Sequence, residues 1–162
     1  MKLFFNSFKT LLFGSGIIYF WSLISVQFKS FDKYLNITIP GWFYIPGIIL
    51  LAAGGIIAFT TAMTFVISGK GTPAPFDSPK EFVSAGLYRY VRNPMYIGGF
   101  FLFEGFALIN FSLSMVIFPL LWLIVVHLFV VLYEEKTLEK KFGSSYLHYR
   151  QKVRRWLPKF NN

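Results

Sequence analysis

Four apolar blocks decide what this chain can fold into. The first spans residues 11–28 and the second residues 42–68, and neither contains an acidic or a basic residue. A third covers residues 95–110 and a fourth residues 113–133. A helix needs about 20 apolar residues to cross a bilayer, and most of these blocks are near or above that length. We therefore predict an all-α integral membrane protein with about four transmembrane helices.

The composition agrees with a lipid environment. Hydrophobic residues make up 55% of the chain and charged residues only 14%, which is not the balance of a soluble domain. Lys2 and Lys9 precede the first block as in a signal peptide, but its apolar region is long and no small-residue cleavage site follows. We interpret it as a retained helix. With no cysteine and two histidines, we expect no metal site.

The third and fourth blocks are separated only by Asn110, Phe111 and Ser112. A corner this short predicts a tight helical hairpin. The second and third helices carry small residues, which allow close helix contact inside a membrane; these are Gly54, Gly55, Gly98, Gly99 and Gly105.

The basic residues predict the sidedness. All 16 Lys and Arg except Lys29 and Lys33 lie before the first span, between the second and third, or after the fourth. The positive-inside bias then places the termini, the 69–93 loop and any site between them in the cytoplasm. Because the net charge of +9 has this membrane explanation, we predict no nucleic-acid partner.

One membrane domain accounts for the whole chain, residues 1–162. It divides into two N-terminal spans (1–68), a cytoplasmic loop (69–93), the hairpin (94–133) and a cytoplasmic tail (134–162) that is charged, amphipathic and helix-prone up to Gly143. The hairpin returns the chain to the side of the loop, so loop and tail must meet. We expect the chemistry there.

Two glutamates and an arginine mark that meeting point. Glu134 and Glu135 follow the fourth span and are either a solvated helix end or a carboxylate site for ribose hydroxyls or an amine. Arg92 precedes Asn93 and Pro94, and proline in the first helical turn leaves free backbone donors there. That end suits a carboxylate or phosphate, although Arg92 is equally typical of an interfacial anchor.

Aromatic and intramembrane ionisable residues add further candidates. Tyr88, Tyr90 and Tyr96 form either an ordinary aromatic belt or the wall of a pocket for a planar ring or a sulfonium cation. Glu104 and His127 lie within the spans, where an ionisable side chain indicates function or pairing. Folding the hairpin about Phe111 places His127 near the Arg-Asn-Pro corner.

Two motifs, G-L-Y-R-Y-V-R-N-P-M-Y-I-G and the tail E-E-K-T-L-E-K-K-F-G-S-S-Y-L-H-Y-R-Q-K-V-R-R-W-L-P, carry a family resemblance over about residues 70–158. The chain resembles the integral-membrane methyltransferases of the isoprenylcysteine carboxyl methyltransferase and phospholipid methyltransferase superfamily. The resemblance implies an S-adenosylmethionine-dependent enzyme that methylates O or N of a small lipophilic or lipid-like acceptor. Its implied cofactor contacts are Lys80, Glu81, Phe82, Val83, Tyr88, Asn93, Pro94, Met95, Tyr96 and Glu134, to which we add Arg92.

Val130 and Asn93 depart from the family pattern. Prenylcysteine enzymes carry a substrate-binding arginine at the position of Val130, which puts a prenylcysteine carboxylate in doubt as substrate. Asn93 stands where many members have histidine. Methyl transfer depends on alignment more than on a strong acid or base. An amine or hydroxyl acceptor must still lose a proton, and the candidate catalytic bases are Glu135, His127 and Glu104.

Two other functions fit the same features. Sterol-reductase-like membrane proteins share a related Arg-X-Pro-X-Tyr region and bind NADPH, although they are typically much longer. A non-catalytic membrane scaffold or lipid-binding protein would keep the motifs only for packing. The sequence favours a methyltransferase with membrane lipids as partners, and it leaves the oligomeric state open.

Overall fold

The computed structural model describes residues 2–69 and 82–159, with side chains from Phe5 onward in the first of these ranges. Lys80 and Glu81, two of the cofactor contacts implied by the resemblance, lie outside the described residues. Six α-helices occur in the described ranges: α1 (Lys2–Phe28), α2 (Asp32–Leu35), α3 (Tyr44–Ser68), α4 (Pro94–Ile109), α5 (Leu113–Phe129) and α6 (Glu135–Lys152). The same ranges contain no β-strand, which confirms the all-α prediction.

Three helical stretches are long and apolar enough to cross a membrane. They are Phe5–Leu35, Gly41–Ser68 and Leu113–Lys152. The predicted third span, α4, is apolar but has only 16 residues. At 1.5 Å per residue it extends about 24 Å, short of the roughly 30 Å hydrocarbon core. Large apolar side chains such as Leu12, Ile49 and Ile124 are exposed, as expected for a surface that faces lipid.

Helices α3 and α4 are antiparallel and touch backbone to backbone. A Cβ atom added at Gly54 would lie 2.7 Å from the carbonyl oxygen of Gly98, and one added at Gly105 would lie 2.7 Å from that of Gly47. Gly55, by contrast, has nothing within 4 Å of its added Cβ. Glycines at the contact therefore bring α4 close against α3 from Gly98 to Gly105.

The corner between α4 and α5 is the predicted hairpin. Phe111 has a positive φ of 53°, and the Ser112 side chain caps α5 by accepting a hydrogen bond from the backbone N–H of Met115. Asp32 Oδ1 accepts a second N–H of that helix end, from Ser114, at 2.9 Å. This bond ties α2 to the start of α5.

The fourth span and the tail form one helical rod. A π-helical turn, Val130–Glu134, joins α5 directly to α6, so the chain does not break where it becomes charged. The helix kinks at Gly143, with φ 51° and ψ −125°, and then continues to Lys152. The sequence favoured helix only up to Gly143; the positive φ lets a glycine bend the rod without ending it.

An aromatic core packs α4, α5 and α1 against one another. Phe103 from α4 packs with Phe118 and Trp122 from α5, and the buried Val126 and Val130 continue this cluster toward the π turn. Trp21 of α1 contacts the same cluster and is 6.4 Å from Trp122 between ring centroids. The end of α5 is therefore fixed against α4, which sets the distance between the Pro94 corner and the glutamates.

Candidate functional site

The loop and the tail meet as the topology predicted. Val91 and Arg154 form an isolated parallel β-bridge. The backbone N–H of Arg92 donates to the Arg154 carbonyl oxygen at 2.8 Å, and that of Asn93 donates to the Arg155 carbonyl oxygen at 3.2 Å. The Asn93 side-chain amide also reaches the Arg155 carbonyl, at 3.3 Å. The segment after α6 thus runs beside the corner that starts α4.

A cavity of about 250 Å³ lies between this corner and the π turn. Its volume is near the lower end of the roughly 300–1,000 Å³ usual for small-molecule pockets. Aromatic rings from the loop, α3, α4, α5, the π turn and α6 form most of its wall, together with two carboxylates. The described aromatic residues that line it are Phe65, Phe82, Tyr88, Tyr96, Phe129, Tyr133, Phe142, Tyr146 and Tyr149.

Tyr96 and Glu134 pair at this cavity. The Tyr96 hydroxyl donates to Glu134 Oε2 at 2.9 Å, and both residues line the wall. Tyr96 lies in the first turn of α4, immediately after Pro94 and Met95, which also belong to the predicted site. The π turn ends at Glu134. The pair therefore fixes a carboxylate at the wall, and its other oxygen, Oε1, has no hydrogen-bond partner among the described residues.

Glu135 sits in a different environment, between two arginines. Its Oε1 is 2.9 Å from Arg92 Nη1 and 2.7 Å from Arg155 Nε, and Arg155 Nη2 donates to Oε2 at 3.0 Å. Glu135 is buried. The hydrogen bonds to Glu135 raise the pKa of Arg155. Glu135 is therefore the carboxylate partner of Arg92. The backbone N–H groups of Arg92 and Asn93 donate hydrogen bonds to carbonyl oxygens of the tail.

Tail aromatics close the cavity against the loop. The Tyr149 hydroxyl donates to the Tyr88 carbonyl oxygen at 2.6 Å. The Phe82 ring lies 5.0 Å from that of Tyr149 and 5.9 Å from that of Tyr146. Burial, and next the negative charge of Glu134, raise the pKa of Tyr88 well above its usual value. Its hydroxyl therefore stays protonated at neutral pH.

Comparison with known proteins identifies the family. The sequence signature described as phospholipid methyltransferase matches residues 42–145, more than half of the chain. The chain belongs to the phospholipid methyltransferase family. It is also similar to an uncharacterized protein of Haemophilus influenzae, with 47% identity over 38 residues. That segment is 24% of this chain and 60% of the relative's length.

Most of the cofactor contacts implied for this phospholipid methyltransferase family member come together at one cavity. Phe82, Val83, Tyr88, Arg92, Asn93, Met95, Tyr96 and Glu134 all line it. Pro94 is buried at the first position of α4, next to the wall. These positions agree with a shared binding site, and their role in binding a cofactor stays a prediction.

The three candidate bases are separated in the structure. Glu135 lines the cavity but is held by Arg92 and Arg155. His127 does not line it; its Nδ1 accepts a hydrogen bond from Trp156 Nε1 at 3.0 Å, in a second cavity that Arg92 also lines. His127 is thus near the Arg-Asn-Pro corner, as the hairpin geometry predicted. Glu104, half-buried in α4, lines neither cavity.

Sequence reasoning missed the role of Arg155 and several wall residues. Arg155 closes the ion-pair cluster from the far end of the tail, and nothing in the R-R-W run distinguishes it from Arg154. Phe142, Tyr146 and Tyr149 of the tail also line the cavity. Phe65 and Leu138 carried no signal beyond ordinary hydrophobicity.

Proposed function

We propose that this protein is an S-adenosylmethionine-dependent methyltransferase that methylates O or N of a small lipophilic or lipid-like acceptor. One observation carries the proposal most strongly. Within the segment that matches the phospholipid methyltransferase family, an aromatic cavity of about 250 Å³ contains the hydrogen-bonded Glu134 carboxylate. A scaffold that kept its motifs only for packing would have no need of this cavity.

The residues at the wall fit such a cofactor chemically. Aromatic faces attract a sulfonium cation, and several rings offer stacking surface for adenine. Glu134 keeps an acceptor oxygen for ribose hydroxyls or an amine. When bound, S-adenosylmethionine would supply an electrophilic methyl group. The aromatic wall and the Glu134 carboxylate therefore support a cofactor of this cationic class.

Positioning is the main contribution we assign to the chain. Tyr96 orients Glu134, and the Arg92–Glu135–Arg155 cluster fixes the Pro94 corner against the tail. An aligned displacement gains most of its rate from such pre-organisation. Glu135 is held in ion pairs, and His127 and Glu104 lie off the cavity. An amine or hydroxyl acceptor must lose a proton. We infer that water or another group of the acceptor takes this proton.

We also propose that the cavity faces the cytoplasm, because the basic residues lie overwhelmingly on its side of the spans. The chain has no cysteine, so single cysteines report sidedness directly. Ser84→Cys lies in the loop and Asn36→Cys in the segment between α2 and α3, and both positions are exposed. In intact cells an impermeant maleimide should label Asn36→Cys only. Labelling of Ser84→Cys alone would reverse the orientation.

Calorimetry on the purified protein tests the proposal. S-adenosylhomocysteine should bind with one site per chain, and NADPH should not compete. A parallel assay with methyl-labelled S-adenosylmethionine and a total membrane lipid extract should yield a labelled lipophilic product. Folded protein that binds neither compound would support the scaffold alternative, and preferential NADPH binding would favour the reductase-like one.

A further inference from the structure

A second cavity, the basic groove, lies beside the tail. It has a volume of about 470 Å³ and opens between the last turn of α5 and residues 150–159. Six of its described lining residues are cationic and none is acidic: Arg92, Arg150, Lys152, Arg154, Arg155 and Lys159. A concave surface with one sign of charge concentrates ligands of the opposite sign.

Two carboxylates compensate only part of this charge. Glu135 pairs with Arg92 and Arg155, and Glu139 pairs with Arg150 at 3.0 Å. In the part of the chain that the structure describes, the remaining cations, Lys152, Arg154 and Lys159, have no ion pair and are exposed. A net positive wall is left over, and an anion is the ligand that would complete it.

The Arg92 side chain has a buried hydrogen-bond donor that is not paired with any described residue. Its side chain is 9% exposed, and its Nε donor is buried without a hydrogen-bond partner in the described ranges. A buried donor left without a partner costs about 1–3 kcal/mol. Arg92 lines the groove as well as the first cavity. Arg92 therefore adds positive charge to the groove, while the exposed Lys152, Arg154 and Lys159 are the cations that an anion can contact directly.

The groove also adjoins lipid-facing surface. His127 belongs to the last turn of the apolar helix α5, and Trp156 of the tail is bonded to it. Leu157, also in the groove, is 71% exposed, and on α5 the neighbouring Ile124 and Leu128 are exposed too. A ligand seated here would meet cations and an apolar surface together, which is the chemistry of an amphiphile with an anionic head.

We infer that the basic groove binds the headgroup of an anionic phospholipid from the surrounding leaflet. The phosphate sits among Lys152, Arg154 and Lys159, and the acyl chains lie along the exposed face of α5 beside Leu157. Such a site anchors the tail at the membrane surface, where juxtamembrane cations gain from anionic lipid. This binding requires no methyl donor and is independent of the proposed function.

Lipid titration followed by native mass spectrometry tests this inference. Protein in a neutral detergent is titrated with dioleoylphosphatidylglycerol or dioleoylphosphatidylcholine, with no methyl donor present. Phosphatidylglycerol should bind roughly tenfold more tightly, and Lys152→Gln with Lys159→Gln should remove roughly that advantage. The matched control is Lys136→Gln with Lys140→Gln, which removes the same charge from exposed positions of α6 that line neither cavity. It should keep the preference.

Three results would overturn the inference. Equal affinity for the two lipids would show that headgroup charge is not recognised. An equal loss in both double variants would mean general attraction to a basic surface. Competition by glycerol 3-phosphate at the affinity of the lipid would assign the groove to a soluble phosphate compound.

Discussion

The Tyr96 hydroxyl and the Glu134 carboxylate are joined by a 2.9 Å hydrogen bond between the start of α4 and the end of the π turn. The adjacent Glu135 is instead saturated by two arginines. Two neighbouring glutamates therefore have separate tasks. Glu135 holds the tail on the loop, and Glu134 keeps one oxygen without a hydrogen-bond partner among the described residues. The π turn and the start of α6 direct the two side chains to these different partners.

Tyr96→Phe should weaken binding of S-adenosylhomocysteine by roughly tenfold and should also lower the stability of the protein. The change keeps the ring and removes the donor that orients Glu134, and a hydrogen bond to a charged group contributes about 1.5–3 kcal/mol. Calorimetry in detergent measures the effect. Tyr90→Phe is the matched control, because Tyr90 is 62% exposed and does not line the cavity.

A double-mutant cycle tests the coupling between Tyr96 and Glu134. If Tyr96 acts through Glu134, then Tyr96→Phe combined with Glu134→Gln should cost no more binding than Glu134→Gln alone. Simple additivity of the two losses would show that the hydroxyl contacts the ligand by another route. Unchanged binding in Glu134→Gln would contradict the assigned role of this carboxylate.

Glu135→Gln should destabilise the protein far more than Glu139→Gln. Removing Glu135 leaves the buried Arg92 without its carboxylate, a change that costs on the order of 3–5 kcal/mol in buried pairs. Glu139 pairs with Arg150 at the surface, where such a bond contributes about 0–1 kcal/mol. Thermal unfolding in detergent compares the two variants, which make the same chemical change on one helix.

Loss of Glu135 should also release the tail. In Glu135→Gln, limited trypsinolysis should cut after Arg154 or Arg155 faster than in the natural protein. In the natural protein the carbonyl oxygens of these two arginines accept hydrogen bonds from the backbone of Arg92 and Asn93, and the Arg155 side chain pairs with Glu135. Equal cleavage rates in the two glutamate variants would mean that the cluster does not fix the tail.

Much of the fold was readable from the sequence. Long apolar blocks identify spans without tertiary information, and the three-residue corner at Phe111 permits only a hairpin. The meeting of loop and tail follows from that topology. These features depend on local pattern and chain length, which a single sequence contains.

The pairings at the site were not readable in the same way. Nothing local separates Glu134 from Glu135, or Arg154 from Arg155, because each choice depends on which way a side chain points after the helices have packed. Likewise, Gly54 and Gly55 are equivalent by composition, yet only Gly54 meets the α4 backbone. Helix α4 has the 16 residues expected from the block 95–110, but that length is short of a full bilayer crossing, because hydropathy measures apolarity and not depth.

Alkaline pH should destabilise the protein partly through Tyr88. Burial raises the pKa of this hydroxyl above its unfolded value near 10. Stability from the neutral hydroxyl is therefore present below about pH 10 and is lost as pH rises toward the folded pKa. Tyr88→Phe should flatten the fall of melting temperature between about pH 9.5 and 11.5, while the exposed Tyr90→Phe should follow the natural protein. Parallel curves for all three proteins would contradict this contribution.

Gly54→Ala and Gly55→Ala should have opposite effects on stability. Each replaces glycine in the middle of α3 and gains up to about 1 kcal/mol in helix propensity. At Gly54 the new methyl group would lie 2.7 Å from both the Gly98 carbonyl oxygen and the Leu102 amide nitrogen, so the backbones must separate. Overpacking of this kind costs about 1–3 kcal/mol, which exceeds the gain. We expect Gly54→Ala to lower the melting temperature and Gly55→Ala to leave it unchanged or raise it.

Because a shift of α4 moves Tyr96 away from Glu134, Gly54→Ala should also weaken ligand binding. Normal binding in a destabilised Gly54→Ala protein would show that the site does not depend on this helix contact.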